Sequence, residues 1–338
     1  MIKSNNHLYP AFHIRKWTGQ GGRIYDKQKP VEKRIRRVDP RKDFSAEYYY
    51  SLGEKDDGLE NRISSFECEI APLIEQIDDA TESVCLTRKQ LELLKLYCSL
   101  CANRHSNTCE VIKSDESGIY RSNHYLIGTH RIETQKDAVE ITTRIVKEFE
   151  RIREASQKTN QDNSKQYVNA FTLGLHLAIF RSETPMVMIS DRFCILENTI
   201  DSDHLFSYIP VSPRTALLLV KSKYYYDFEH FESTCIRFGN KYGLGTPDPY
   251  LSDLLGAEVG LYEDRLFRAA YKDELMTEPA DDTCESLYVK IQKLPKEVFR
   301  LFNSIYCEDG EKVLYCDKKE LEYALSHQLN CRDIKVSL

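Results

Sequence analysis

Phe206-Ser207-Tyr208-Ile209-Pro210-Val211 and, five residues on, Ala216-Leu217-Leu218-Leu219-Val220-Lys221 decide how this sequence is read as a fold. Both runs are short and apolar, with β-branched and aromatic residues, and read as strands. Met186–Ser190 and Phe193–Leu196, just upstream, have the same character. From Glu60 to Phe180 helical spacing dominates instead. Strands gathered after a run of helices predict an α+β fold, with a helical block packed against a mixed or antiparallel β-sheet.

Within the helical block, Ile63, Phe66, Ile70, Ile74 and Ile77 recur on one helical face. Pro72 falls inside that run and predicts a kink or a restart. Thr87 and Gln90 form a capping box that opens the next helix, with an apolar stripe at Leu93, Tyr97 and Leu100. Ser114–Gly118 interrupts the pattern. An amphipathic helix follows over Thr134–Ser156, then a loop at Gln157–Asn163, then another helix over Lys165–Phe180. Before the block, Pro10 starts a short helix through Trp17. Gly19, Gly21 and Gly22 then turn the chain into a strand at Arg23–Lys27. After the strand region, helices are expected at Phe228–Tyr242, Pro249–Lys272 and Glu297–Tyr306. A strand at Lys312–Cys316 precedes a last helix at Lys318–Leu329, with Asp317 as its N-cap. No internal repeat is present. The expectation is one domain over residues 1–338, made of an N-terminal β-rich segment (1–59), the helical block (60–180) and a mixed part (181–338).

Composition narrows the function classes. At 338 residues, with 41% hydrophobic and 30% charged residues, the chain is of ordinary globular make-up. Its 21 tyrosines suit the edges of cores and clefts. A formal charge of −6 argues against coating nucleic acid over the whole surface, yet permits a local basic patch. Met1–Asn6 has no apolar signal-peptide core, and no stretch reaches the roughly 18 apolar residues of a membrane span. Eleven scattered cysteines, an odd number, fit free thiols in a reduced cytoplasmic setting. The sequence carries no signal of oligomeric state.

Several motifs follow one another in a recognisable order. They are His7-Leu8-Tyr9-Pro10-Ala11-Phe12-His13-Ile14-Arg15-Lys16-Trp17, then Tyr25-Asp26-Lys27, then Ile63-x-x-x-Glu67-x-x-x-Ala71-Pro72 and Arg104. Ser190-Asp191, Ile209-Pro210-Val211-Ser212-Pro213 and Phe302-Asn303 complete the set. This ordered set, spread over nearly the whole chain, resembles a bacterial family, domain of unknown function 4238. Two departures stand out: Arg192-Phe193 replaces the Asn-Pro that often follows the aspartate, and His13 replaces a common aromatic. The resemblance implies a role in anti-phage defence and implies no particular chemistry.

Glu67 shares its helix face with Ile63, Ile70 and Ile74, and a carboxylate on an apolar stripe needs a partner. Arg104 continues the Leu93, Tyr97, Leu100 stripe, so a Glu67–Arg104 pair would form if the two helices pack. One reading is a structural ion pair. The other adds His7 and Asp191 to make a metal-dependent nuclease acting on phage or host nucleic acid. Glu67 and Asp191 would then hold Mg²⁺ or Mn²⁺, His7 would act as base or ligand, and Arg104 would stabilise the phosphoryl charge. The rival is a non-enzymatic sensor that binds a phage component, such as a phage protein. Cys98, Cys101, His105 and Cys109 suggest zinc, but one continuous helix would spread them over roughly 16 Å; the site works only if the helix ends near Asn103, and core cysteines are the better reading. The basic run from Lys27 to Lys42, including Lys33, Arg34, Arg36 and Arg37, is a candidate DNA- or RNA-binding surface; the alternative is a plain solvated face, since Glu32 and Asp39 dilute the run. Trp17 and Tyr25 lie close by in sequence for stacking. Gly239, Gly243 and Gly245 lack the Lys-Ser/Thr of a phosphate-binding loop.

Overall fold

Helix α3 (Arg88–Asn103) is the pivot of the structure, a computed structural model that describes residues 5–7, 9–40, 42–47, 58–103, 135–158, 167, 175–191, 195–198, 204–221, 286–293 and 296–331. Thr87 and Gln90 cap it reciprocally: the Thr87 amide donates to Gln90 Oε1 (2.8 Å) and the Gln90 amide to Thr87 Oγ1 (3.2 Å). Every residue from Leu91 to Cys101 is buried, so the helix has no solvent face there, only an apolar majority, the buried Glu92–Lys95 pair (3.3 Å) and Ser99, whose hydroxyl donates to the Lys95 carbonyl (3.2 Å). It is enclosed by α2 (Gly58–Asp79), by α4 (Gln135–Lys158) and by a six-stranded sheet. Phe66 and Phe149 stack between α2 and α4 with ring centroids 4.3 Å apart. Arg62 grips Glu150 with two 2.7 Å hydrogen bonds beside them.

The six-stranded sheet has the order β5 (Ser83–Thr87), β11 (Ser286–Lys293), β6 (Leu175–Arg181), β10 (Thr215–Lys221), β9 (His204–Pro210), β8 (Ile195–Asn198). Only β11 and β6 run parallel, so the sheet is mixed. Packed helices on a mixed sheet make this an α+β fold, as the segregated pattern predicts.

Three sequence expectations are corrected. The helix expected over Lys165–Phe180 is instead, over its last residues, strand β6. Leu177, Ala178, Ile179 and Phe180 are all fully buried in mid-sheet, and such a continuous apolar run cannot be told from a buried helix by period. Helix α2 does not restart at Pro72 but runs unbroken for 22 residues, with Pro72 on its exposed side. Trp17 cannot stack on a base, because its ring is completely buried. The helices expected at Phe228–Tyr242 and Pro249–Lys272 lie outside the described residues.

Trp17 belongs to α1 (Ala11–Gly19), which the opening motif turns into a peg between layers. Its indole N–H donates to the Val187 carbonyl (2.9 Å), and the Tyr9 hydroxyl donates to the Pro210 carbonyl (2.6 Å). The two rings meet edge to face at 6.4 Å. His13 Nε2 lies 3.2 Å from the Tyr97 hydroxyl, tying α1 to α3.

A four-stranded sheet, ordered β3 (Ile35–Arg37), β2 (Arg23–Asp26), β12 (Lys312–Tyr315), β7 (Ile189–Ser190), joins the two ends of the chain. A small ladder pairs β1 (Asn5–His7) with β4 (Ser45–Glu47). Helices α5 (Lys296–Asp309) and α6 (Lys318–Cys331) flank the four-stranded sheet, and Asp317 Oδ1 accepts the Lys319 amide as the N-cap expectation requires (2.8 Å). On α5, Phe302 stacks on Tyr208 at 3.9 Å. Asn303 exchanges hydrogen bonds with the Met186 carbonyl and the Met188 amide. Burial pushes the Tyr208 hydroxyl far above its ordinary pKa, so it stays neutral.

Candidate functional site

Of the four residues singled out for catalysis, the three that are described lie on or beside different elements. His7 lies on β1 in register with Ser45. Glu67 sits at the flank of α2, half-buried, while Ile63, Ile70 and Ile74 are fully buried; Glu60, two turns earlier, is the more buried acid. Arg104 lies outside the described residues, so its pairing with Glu67 does too. Asp191 follows β7, and its Oδ1 accepts the amides of Glu311 (2.9 Å) and Lys312 (3.2 Å). It thereby fastens the turn between α5 and β12. Gly310 completes that fastening, since a Cβ there would stand 2.6 Å from the Ser190 Cβ and 3.0 Å from Asp191 Oδ1. Among the described residues, no group of three or more His, Cys, Asp or Glu is placed to share a metal ion. Cys98 and Cys101 are buried in α3, and His105 and Cys109 lie outside the described residues.

The basic run resolves into two faces of one hairpin. Strand β2 turns through a short 3₁₀ segment (Val31–Lys33) into β3, the edge strand of the four-stranded sheet. Inward of β3, Arg36 forks onto Asp43: Nη2 reaches Oδ1 at 2.5 Å and Nη1 reaches Oδ2 at 2.9 Å. The Asp39 amide also donates to Asp43 Oδ2 (2.7 Å), and Asp26 stands 3.9 Å from the guanidinium. Burial opposes the charge on Asp43, but Arg36 and the Asp39 amide outweigh it and hold the carboxyl below its ordinary range. The Arg36 guanidinium, correspondingly, is held above its own. Arg36 is therefore engaged by the buried acids Asp43 and Asp26, although a third of its side chain stays exposed (34%), whereas Arg37 on the other face is not.

On the other face the pleat aligns Arg23, Tyr25, Ile35 and Arg37. Arg23 stands directly opposite Arg37, and Tyr25 opposite Ile35. Arg23, Arg37, Lys29 and Lys33 are exposed, and among the described residues Val31 (75%) and Ile35 (42%) are the large apolar side chains most open to solvent. Arg34 bridges the hairpin, donating from Nε to the Lys29 carbonyl (3.1 Å) and from Nη1 to the Tyr25 hydroxyl (3.4 Å). Neither Arg23 nor Arg37 makes a side-chain hydrogen bond or ion pair among the described residues. Like charges facing each other across a strand pair are destabilising on their own. An anion lying over the face would relieve that repulsion and touch Tyr25 and Ile35 as well. Sequence reasoning named Lys33, Arg34 and Arg37 but missed Arg23. The period-2 alternation of Arg23–Lys27 against Ile35–Arg37 is the signal that places it.

Fold and surface together define an α+β protein with a basic, partly apolar sheet face at one edge. The family model described as Protein of unknown function (DUF4238) matches residues 5–320, and the chain belongs to that family. No curated protein and no solved structure matches it. No helix among the described residues is long and apolar enough to cross a membrane.

Proposed function

We propose that the protein acts in anti-phage defence in the bacterial cytoplasm by gripping DNA or RNA on the outer face of the β2–β3 hairpin. The observation that carries this reading is the Arg23–Arg37 pair: two exposed like charges in cross-strand register. Lys29, Lys33 and Arg34 extend the charge along the hairpin, so several backbone phosphates would be neutralised with release of counterions. Tyr25 and Ile35, the next cross-strand pair along the same face, supply an apolar patch beside the two arginines, suited to an unpaired base. The family resemblance supports the defence role.

A second reading adds hydrolysis. Glu67 is half-buried at the flank of α2 rather than sealed in the core like Ile63, Ile70 and Ile74. In that reading Glu67 and Asp191 hold Mg²⁺ or Mn²⁺, with His7 as base and Arg104 on the phosphoryl group.

Incubating the purified protein with labelled single- and double-stranded DNA and RNA, with and without Mg²⁺ or Mn²⁺, tests both. Retardation of at least one nucleic acid at low salt is expected. Cleavage only with metal would favour the second reading. Failure to retain any nucleic acid would contradict the proposal and leave a phage protein as the partner to seek.

A further inference from the structure

A separate cleft of about 450 Å³ opens where the end of α1 meets the end of α2, the end of β6 and the β9–β10 turn. Four cations line it, Arg15, Lys16, Arg181 and Arg214, against two carboxylates, Asp78 and Asp79. An excess of two positive charges in one concavity is unusual for a chain whose net charge is −6.

The wall is preorganised. Asp78 accepts hydrogen bonds from Lys16 Nζ (2.7 Å), Ser212 Oγ (2.9 Å) and Thr215 Oγ1 (2.7 Å), so this carboxylate is spent on locking α2 to α1 and to the hairpin turn. Arg181 donates from its two terminal nitrogens to the Ala80 and Ile77 carbonyls, which covers the negative end of α2 and fixes the guanidinium plane. Its Nε is buried with no hydrogen-bond partner among the described residues. Burial and the nearby Arg214 charge together hold Arg181 below its ordinary pKa, despite Asp78 and Asp79. An anion seated between the two guanidinium groups would reverse that penalty.

Two cations are left to receive it. Among the described residues, the Arg15 side chain makes only a 3.3 Å hydrogen bond, from Nε to the Ala11 carbonyl of its own helix. The exposed Arg214 side chain makes no hydrogen bond or ion pair among the described residues. Lys16 is already neutralised by Asp78 and by Glu75 at the rim (3.0 Å), which leaves the guanidinium groups as the anion-seeking charges. Guanidinium forks match phosphate oxygens in pairs, and a phosphomonoester carries about −1.5 to −2 charge at neutral pH. The volume lies in the lower part of the range for small-molecule sites, of roughly 300–1,000 Å³.

We infer that this cleft binds the phosphomonoester group of a small phosphorylated molecule, with Arg15 and Arg214 as contact residues and Arg181 and Asp78 as positioning residues. The site is independent of the hairpin face, and its ligand is distinct from a nucleic-acid strand.

Isothermal titration of the full chain with inorganic phosphate, glucose 6-phosphate, adenosine 5′-monophosphate and unphosphorylated adenosine tests it. Saturable binding of the phosphate-bearing probes, and none of adenosine, is expected; which of the three binds tightest identifies the carrier. Arg214→Ala and Arg15→Ala should each weaken that binding by about tenfold or more, with unchanged circular dichroism and thermal midpoint. Arg37→Glu on the hairpin should leave it unchanged. No saturable binding of any phosphate probe, or binding indifferent to both cleft variants, would overturn the inference.

Discussion

Trp17 shows how much of the architecture one side chain can hold. Its indole fills the core and its N–H satisfies a carbonyl 170 positions away. Trp17→Phe keeps most of the apolar area but strands the Val187 carbonyl, so a loss of about 1–3 kcal/mol is expected in urea unfolding. Adjacent arginines separate structure from function in the same way. Arg36→Ala would leave the buried Asp43 without its fork and lower stability, whereas Arg37→Ala should change stability by no more than about 0.5 kcal/mol. The Asp43 carboxyl also predicts a pH dependence. Its folded pKa lies below the unfolded value, so its stabilising contribution is complete above the ordinary carboxylate pKa of about 3.9 and is lost as pH falls through the folded value. Urea midpoints between pH 7 and pH 2.5 should therefore fall more steeply in wild type than in Asp43→Asn, which starts lower at pH 7. Equal slopes would show that the pair contributes nothing. These roles were only partly legible. The sequence marks Arg36 and Arg37 as equivalent basic residues, and only the strand register puts them on opposite faces.

At the scale of elements, local signals were read well wherever a backbone group has to be satisfied nearby. The Thr87–Gln90 box and the Asp317 cap both formed as expected, because helix ends leave orphan amides that short polar side chains reach. Thr87→Ala should cost about 0.5–2 kcal/mol by thermal or urea unfolding, with no effect on nucleic-acid affinity. Elements set by distant neighbours were less legible. β6 is a strand because β10 and β11 flank it, and nothing in Leu175–Arg181 alone reveals those partners. The turn at Gly310 is another such case. Gly310→Ala would push a methyl into Ser190 and the Tyr306 carbonyl and loosen the Asp191 fastening, at about 1–3 kcal/mol. Asp191→Ala should destabilise the same turn by a similar amount, from the two amides it releases. An Asp191→Ala variant that keeps wild-type stability but loses a metal-dependent activity would instead assign the residue to chemistry.

For the whole molecule, the fold class followed from the segregation of helical and strand patterns, and the mixed sheet agrees with it. The candidate interface was half-visible. The basic run was plain, but its outward face needed the β2–β3 register, and the rim of the cleft draws residues from segments as far apart as Arg15 and Arg214. Side chains that meet only in three dimensions leave no spacing in one dimension. The claim that matters most is that the Arg23–Arg37 face grips a nucleic-acid backbone, and salt dependence tests it most directly. Fluorescence anisotropy with a labelled single strand should give affinities that fall steeply with salt. The slope of log affinity against log salt should shrink by about 0.7 for each of Arg23→Ala and Arg37→Ala, as one phosphate contact is lost at each. A slope and affinity unchanged in the double variant, with the fold intact, would contradict the account.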